Sequence, residues 1–398
     1  MNAPEPNGAD GPERRGSLTE SHPPLRLGVL DFHPIQYHVP LYQRLARRSR
    51  VRLDVLYLRD AGYRPVHNPE FGVLLAWNID LMSGYESSFL NDGKHRAGRV
   101  AAAGRLARWL RSHDAVVIHG HSDPWMLSAV AACRGMGVPY LLRGDAGAEG
   151  QAAGLRRRAR DLVARAVVSA SAGGLAAGEL NREFYRKYGA RRIVFAPYSV
   201  DNDRFAAPPA VGRGELLARW GLPSTAPVVM FCGKLEPRKR PLDLTAAVSR
   251  LGQPVTTLVA GDGALAGQVR AALPPGRGAV TGFVNQADLP PYYHAADILV
   301  LPSSHEPWGL VVNEAMAAGA VPVVSDRVGA APDLVEGVGE VYPHGDVAAL
   351  AEALRRTLAR LGTPGLRAQV RERVARYGVD ATAAGYEQAA LAAARRRS

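Results

Sequence analysis

The chain has 398 residues, a formal charge of +12 and two cysteines. Its length suits two domains with separate hydrophobic cores. Cys133 and Cys232 sit in apolar contexts, which excludes a disulfide framework and fits a reducing compartment. No apolar run of about 18 residues marks a membrane span, and residues 1–24, rich in Pro, Gly, Glu and Ser, lack the apolar core of a signal peptide. A cytoplasmic protein with a disordered tail is expected. The positive balance invites an acidic partner, but the arginines are scattered without aromatic interleaving, so nucleic acid is not the expected one.

Folding is expected to begin with the apolar strand Leu25–Phe32, which ends in the polar loop HPIQYH. A helix with the period of Leu41 and Leu45 and a second strand, VRLDVLYL, complete a βαβ unit and predict a parallel sheet. Residues 59–91 are aromatic and turn-rich with little periodicity, and read as a candidate acceptor wall. Next come a helix near Arg99–Ser112, the strand DAVVIHGH, a helix over Pro124–Met136 and the strand PYLLRGDA. These strands carry His119 and His121, and Arg143 and Asp145, at the edge where open α/β sheets bind ligands. Helical sequence fills 152–188, with Val167–Gly174 read as a further strand inside it.

A Pro- and Asp-rich stretch at 196–210 marks the domain boundary. Strands at 227–232, 255–260, 279–283, 297–302 and 321–325 then alternate with helices. The expected organisation is a tail over 1–24, one doubly wound domain over 25–195 and a second over 196–375. A C-terminal helix closes the chain over 376–398; its periodicity does not say whether it packs back on the first domain.

The stretch LPSSHEPWGLVVNEAMAAGAVPVVS reads as strand end, loop, helix and strand. Pro307 suits a first helical position, which puts Glu306 in the loop mouth and Glu314 about two turns on. At about 1.5 Å per residue the two carboxylates are roughly 10 Å apart, two grips on one elongated ligand. The amides of Trp308, Gly309, Leu310 and Val311 between them form a ready anion site. Only four lysines occur in the chain, and Lys234 and Lys239 fall together, just after Gly233 at a strand end. Two ammonium groups opposite a helix N-terminus suit a diphosphate. The glycines of VAGDGALAG read as a tight strand–helix turn rather than a dinucleotide fingerprint.

In order, GKLxxxK at 233–239, AGDG at 260–263, TGFV at 281–284 and the E-x7-E element at Glu306 and Glu314 resemble the second domain of a family 4 glycosyltransferase. HPIQYHVPLYQRLA, FGVLLAWNIDLMSGYESSFL and PYSVDNDRF resemble a bacterial subgroup. The resemblance implies a GT-B fold of two Rossmann-like domains facing across a cleft, and transfer of a hexosyl unit from a UDP- or GDP-type sugar with retention. No D-x-D-like cation site is apparent at a strand end, and two lysines can replace a divalent metal, so neither metal nor cofactor is expected. Lys234 and Lys239 should hold the diphosphate, Glu306 and the following backbone the sugar, Glu314 the ribose, and the backbone of Phe283 and Val284 the base. Two departures stand out. Pro34–Tyr37 replace a double glycine of the first loop, and Arg143 and Asp145 stand where a histidine is common, leaving His121 or Asp145 as candidates nearest the reacting carbon.

An epimerase would need no acceptor, and a binding module would have no need of the full Glu306, Glu314, Lys234 and Lys239 set. The acceptor is a glycan, a lipid-linked intermediate or a natural-product scaffold, with surface polysaccharide assembly favoured. A basic surface in such a pathway would touch the inner face of a membrane.

Overall fold

The computed structural model describes residues 23–60, 66–68, 73–75, 78–90, 98–121, 123–144 and 154–395. Its first half runs β1 (Leu25–Asp31), α1 (Val39–Ala46), β2 (Val51–Tyr57), β3 (Val66–Asn68), β4 (Val73–Leu75), β5 (Glu86–Phe89), α2 (Arg99–Arg111), β6 (Ala115–His119), α3 (Pro124–Met136), β7 (Tyr140–Arg143), α4 (Leu155–Ser169), β8 (Gly173–Ala176), α5 (Glu179–Lys187) and β9 (Ile193–Phe195). Seven strands pair in the order β5-β2-β1-β6-β7-β8-β9, parallel throughout. The strand expected at Val167–Gly174 is displaced. Val167 and Val168 end α4, where both are buried, and the strand starts at Gly173. β-Branched neighbours read as a strand, but the helical period they share with the buried Ala164 prevails.

The second half runs α6 (Asn202–Ala206), α7 (Arg213–Arg219), β10 (Val228–Cys232), α8 (Pro241–Val248), β11 (Thr256–Ala260), α9 (Ala266–Ala272), β12 (Gly278–Val280), α10 (Pro290–Ala295), β13 (Ile298–Leu301), α11 (Leu310–Ala318), β14 (Val321–Ser325), β15 (Glu340–Tyr342), α12 (Val347–Arg360), α13 (Leu366–Ala375) and α14 (Val379–Ala394). Its six strands are parallel in the order β12-β11-β10-β13-β14-β15. The continuous apolar runs of β10, β11 and β13 follow from burial on both faces.

Strand order reverses beside β1 in one sheet and beside β10 in the other, and ligands favour the crevice beyond the strand ends at such a point. The chain passes between domains twice. Residues 196–201 make the first crossing, where Arg143 donates to the carbonyls of Ala196 at 2.5 Å and Pro197 at 3.1 Å. After the second, α14 lays Ala383, Tyr386, Ala389, Ala390 and Ala393 into the core of the first sheet, against residues such as Leu27, Val29 and Val117. Its alanines let the helix approach the strands closely. No helix among the described residues is long and apolar enough to cross a membrane.

Candidate functional site

A cavity of about 480 Å³ opens between the domains. One wall consists of the ends of β1, β6 and β7 with the loop before α1; the other consists of Lys239 and residues 306–311.

On the second wall, α11 begins at Leu310, three residues later than Pro307 suggests. Glu306 pairs as a bridge with Val328: its amide donates to Arg327 at 3.0 Å, and its carbonyl accepts from Gly329 at 2.8 Å. This pairing keeps Pro307 in a bend. Gly309 then turns the chain at φ +97°, where a Cβ would lie 2.9 Å from Leu301 Cδ2. Val312 donates back to Gly309 at 2.8 Å, so the amides of Gly309, Leu310 and Val311 are the orphan donors of that helix end.

Lys239 closes a single turn, Pro237–Lys239, and precedes Arg240, the only non-glycine residue with positive φ among the described residues. Ser304 donates to the Arg238 carbonyl at 2.8 Å, and the Arg238 guanidinium donates to the His305 carbonyl at 2.9 Å. These ties bring Lys239 Nζ onto Glu306 Oε2 as a mostly buried ion pair.

Glu314 lies beneath this wall, fully buried. Tyr293 donates to it at 2.5 Å and Gln286 at 2.8 Å, and the Tyr37 hydroxyl reaches it from the first domain. Burial raises its pKa, while the hydrogen bonds from Tyr293 and Gln286 act in the opposite direction. Lys234 follows β10 outside the cavity lining; burial lowers its pKa, countered in part by Glu236. Phe283 and Val284, after β12, also lie outside the lining, farther along the same sheet edge. The glycine cluster serves close backbone approach, since a Cβ on Gly261 would come within 1.9 Å of the Gly233 carbonyl.

The first wall holds a cluster that inspection of the sequence misses. Asp31, the last residue of β1, accepts from His38 Nδ1 at 2.7 Å and from the Tyr42 hydroxyl at 2.6 Å on Oδ2, and from the Phe32 amide at 2.8 Å on Oδ1. His119 Nδ1 lies 3.6 Å from Oδ1, and its Nε2 meets the Tyr386 hydroxyl at 2.9 Å. Burial pushes the Asp31 carboxyl up, but His119, His38 and Tyr42 together hold it well below the usual carboxylate range. Burial drives His119 down to about 3, so its ring is neutral near pH 7. One ligand atom from each of Asp31, His38 and His119 lies within 4.8 Å of the others, as in a cation site. However, both oxygens of Asp31 are already taken by donors, so the group reads as a hydrogen-bonded network.

His121 is outside the cavity lining, its ring 5.9 Å from that of Phe184, and Asp145 lies outside the described residues. Of the irregular stretch, 61–65, 69–72, 76–77 and Asn91 are likewise outside. Asn78 from this stretch reaches the second domain, donating to Asp288 Oδ2 at 3.1 Å and accepting from the Ala287 amide at 3.1 Å.

Residues 226–360 match the family model for glycosyl transferases group 1. The second domain belongs to that family. D-inositol 3-phosphate glycosyltransferase of Kineococcus radiotolerans is 33% identical over 233 residues, covering 51% of this chain and 53% of the relative. 2-Deoxystreptamine glucosyltransferase of Streptomyces kanamyceticus is 36% identical over 183 residues, 42% of this chain and 46% of the relative. The chain spans about half the length of the curated relatives it matches. Among solved structures, sucrose-phosphate synthase from Thermosynechococcus elongatus superposes with a TM-score of 0.67 at 21% identity, over 92% of this chain and 98% of that one. Anabaena HepE in complex with UDP gives 0.68 at 16%, over 90% and 98%. The fold of the chain is GT-B.

Proposed function

We propose that this chain transfers a hexosyl unit from a nucleoside-diphosphate sugar to a hydroxyl acceptor, with retention and without a metal ion. The observation that carries the reading is the second wall of the cavity, where Lys239, Glu306 and the orphan amides of α11 converge. The diphosphate sits over Gly309–Val311 and is met by Lys239, with Lys234 near its nucleoside side. Glu306 meets the sugar, Glu314 the ribose once the Tyr37 hydroxyl that now reaches it gives way, and the backbone of Phe283 and Val284 the base. Charge developing on the departing diphosphate is stabilised by a cation and a helix end already in place, which is where most of the acceleration arises. HepE, solved with UDP, supports a uridine nucleotide.

The relatives' names, D-inositol 3-phosphate glycosyltransferase and 2-deoxystreptamine glucosyltransferase, favour a small polyhydroxylated ring as acceptor over a polysaccharide intermediate. Incubation with UDP-, GDP- and dTDP-hexoses, with and without acceptor, tests this. Acceptor-dependent release of nucleoside diphosphate, unaffected by EDTA, is expected. Acceptor-free rearrangement of the sugar would identify an epimerase, and binding without turnover a non-catalytic module.

A further inference from the structure

We propose that His38 receives the proton of the acceptor's attacking hydroxyl, and that Asp31 is the positioning residue that holds His38 in the required tautomer. The proposal rests on the transferase reading above. His38 lines the cavity, and its Nδ1 lies 2.7 Å from a buried carboxylate oxygen. A hydrogen bond to a carboxylate places the ring proton on Nδ1 and leaves the Nε2 lone pair at the opposite edge of the ring, free to accept. That arrangement is a base oriented by an acid.

His33 and His119 also line this wall, and His119 is spent: Nδ1 faces Asp31 and Nε2 faces the Tyr386 hydroxyl. The charged and titratable groups packed around His38 are Asp31 on β1, His33 before α1, Tyr42 on α1 and His119 on β6, whose ring is 4.8 Å away; behind His119 lie Tyr386 on α14 and Arg143 on β7. Lys239 and Glu306 form the facing wall. A hydroxyl bound between the walls therefore meets a base on one side and the diphosphate-stabilising cation on the other.

The step balances. The hydroxyl oxygen bonds to the anomeric carbon as the bond from that carbon to the diphosphate oxygen breaks, and the electron pair leaves with the nucleoside diphosphate. The hydroxyl proton passes to His38 Nε2, and the imidazolium faces Asp31 until water removes the proton. With attack from the leaving-group face, the departing phosphate oxygen competes for the same proton, so the assignment is open to direct test.

The test uses His38→Gln with UDP-glucose, or whichever donor the wild type consumes, and D-inositol 3-phosphate and 2-deoxystreptamine as acceptor probes. UDP affinity by calorimetry should stay within about twofold, while transfer falls by roughly 100-fold or more. Transfer within about threefold of wild type, with UDP still bound, would show that phosphate alone takes the proton and would overturn the proposal. Failure of the wild type to bind UDP or consume any donor would remove the transferase reading itself. Independently of any variant, long-range ¹H–¹⁵N spectra of the wild type should show His38 Nδ1 protonated and Nε2 unprotonated. The reverse tautomer would sink the proposal even if His38→Gln does not fold.

Discussion

Replacing Lys239 with Ala removes the cation that the second wall offers to a diphosphate and leaves Glu306 without its partner. The side chains of Lys239 and Glu306 are 15% and 12% exposed, so the pair is shielded from water without being sealed from it. One unit charge about 4 Å from a phosphate oxygen is worth about 4 kcal/mol at the effective dielectric of a protein surface and about 1 kcal/mol in bulk water. The site lies between these limits, so a loss of about 2–3 kcal/mol in the transition state, or roughly 30–150-fold in turnover, is expected. Some stability should be lost, because Glu306 is left mostly buried without its cation, but the fold should persist, since no residue of the turn Pro237–Lys239 is fully buried. The assay is steady-state release of nucleoside diphosphate with matched thermal melts. Turnover within threefold of wild type, from a variant that the melts show to be folded, would refute the assignment of Lys239 to the diphosphate.

Three further perturbations follow from the geometry. Tyr37→Phe removes the hydroxyl that reaches Glu314 from the first domain. If the ribose must take that place, UDP should bind roughly three- to fivefold more tightly by calorimetry, the value of one modest hydrogen bond; weaker binding would put Tyr37 on the bound nucleotide instead. Gly309→Ala forces a side chain into φ +97° and against Leu301, and an unfolding free energy lowered by about 1–3 kcal/mol in denaturant titration is expected, with donor affinity reduced as the helix end shifts. His119 binds its proton at about pH 3 when folded and near 6.5 when unfolded, so the unfolded chain takes up more protons across that window. Stability attributable to His119 is therefore complete above about pH 6.5 and lost progressively as pH falls toward 3; His119→Asn should flatten that acid limb in melts from pH 7 to pH 4.

The second domain was legible because its parallel strands are buried on both faces and appear as apolar runs at regular spacing, each followed by polar or glycine-rich loop residues. Glu306 and Lys239 were legible as loop residues following apolar strands, although long-range ties rather than local geometry bring them together. The helix start was misread because Pro307 obeys a tertiary pairing of Glu306 with Val328, which no local signal announces. The Asp31–His38–His119 network comes from β1, α1 and β6, which only the fold brings together. One usable signal was present: Asp31 is the sole acid in the apolar strand Leu25–Asp31, at the edge where ligands bind. His121, a candidate beside Asp145, lies outside the cavity lining because β6 ends at His119 and Gly120 turns the chain away at φ +81°.

The central claim is that a nucleoside diphosphate sits over the N-terminus of α11, and amide ¹H–¹⁵N spectra test it most directly. Titration with UDP should shift the signals of Gly309, Leu310 and Val311 most strongly, with Lys239 and Glu306 following. UDP that binds and shifts residues elsewhere, such as the arginine-lined surface at Arg48, Arg50 and Arg192, while Gly309–Val311 stay still, would contradict the account.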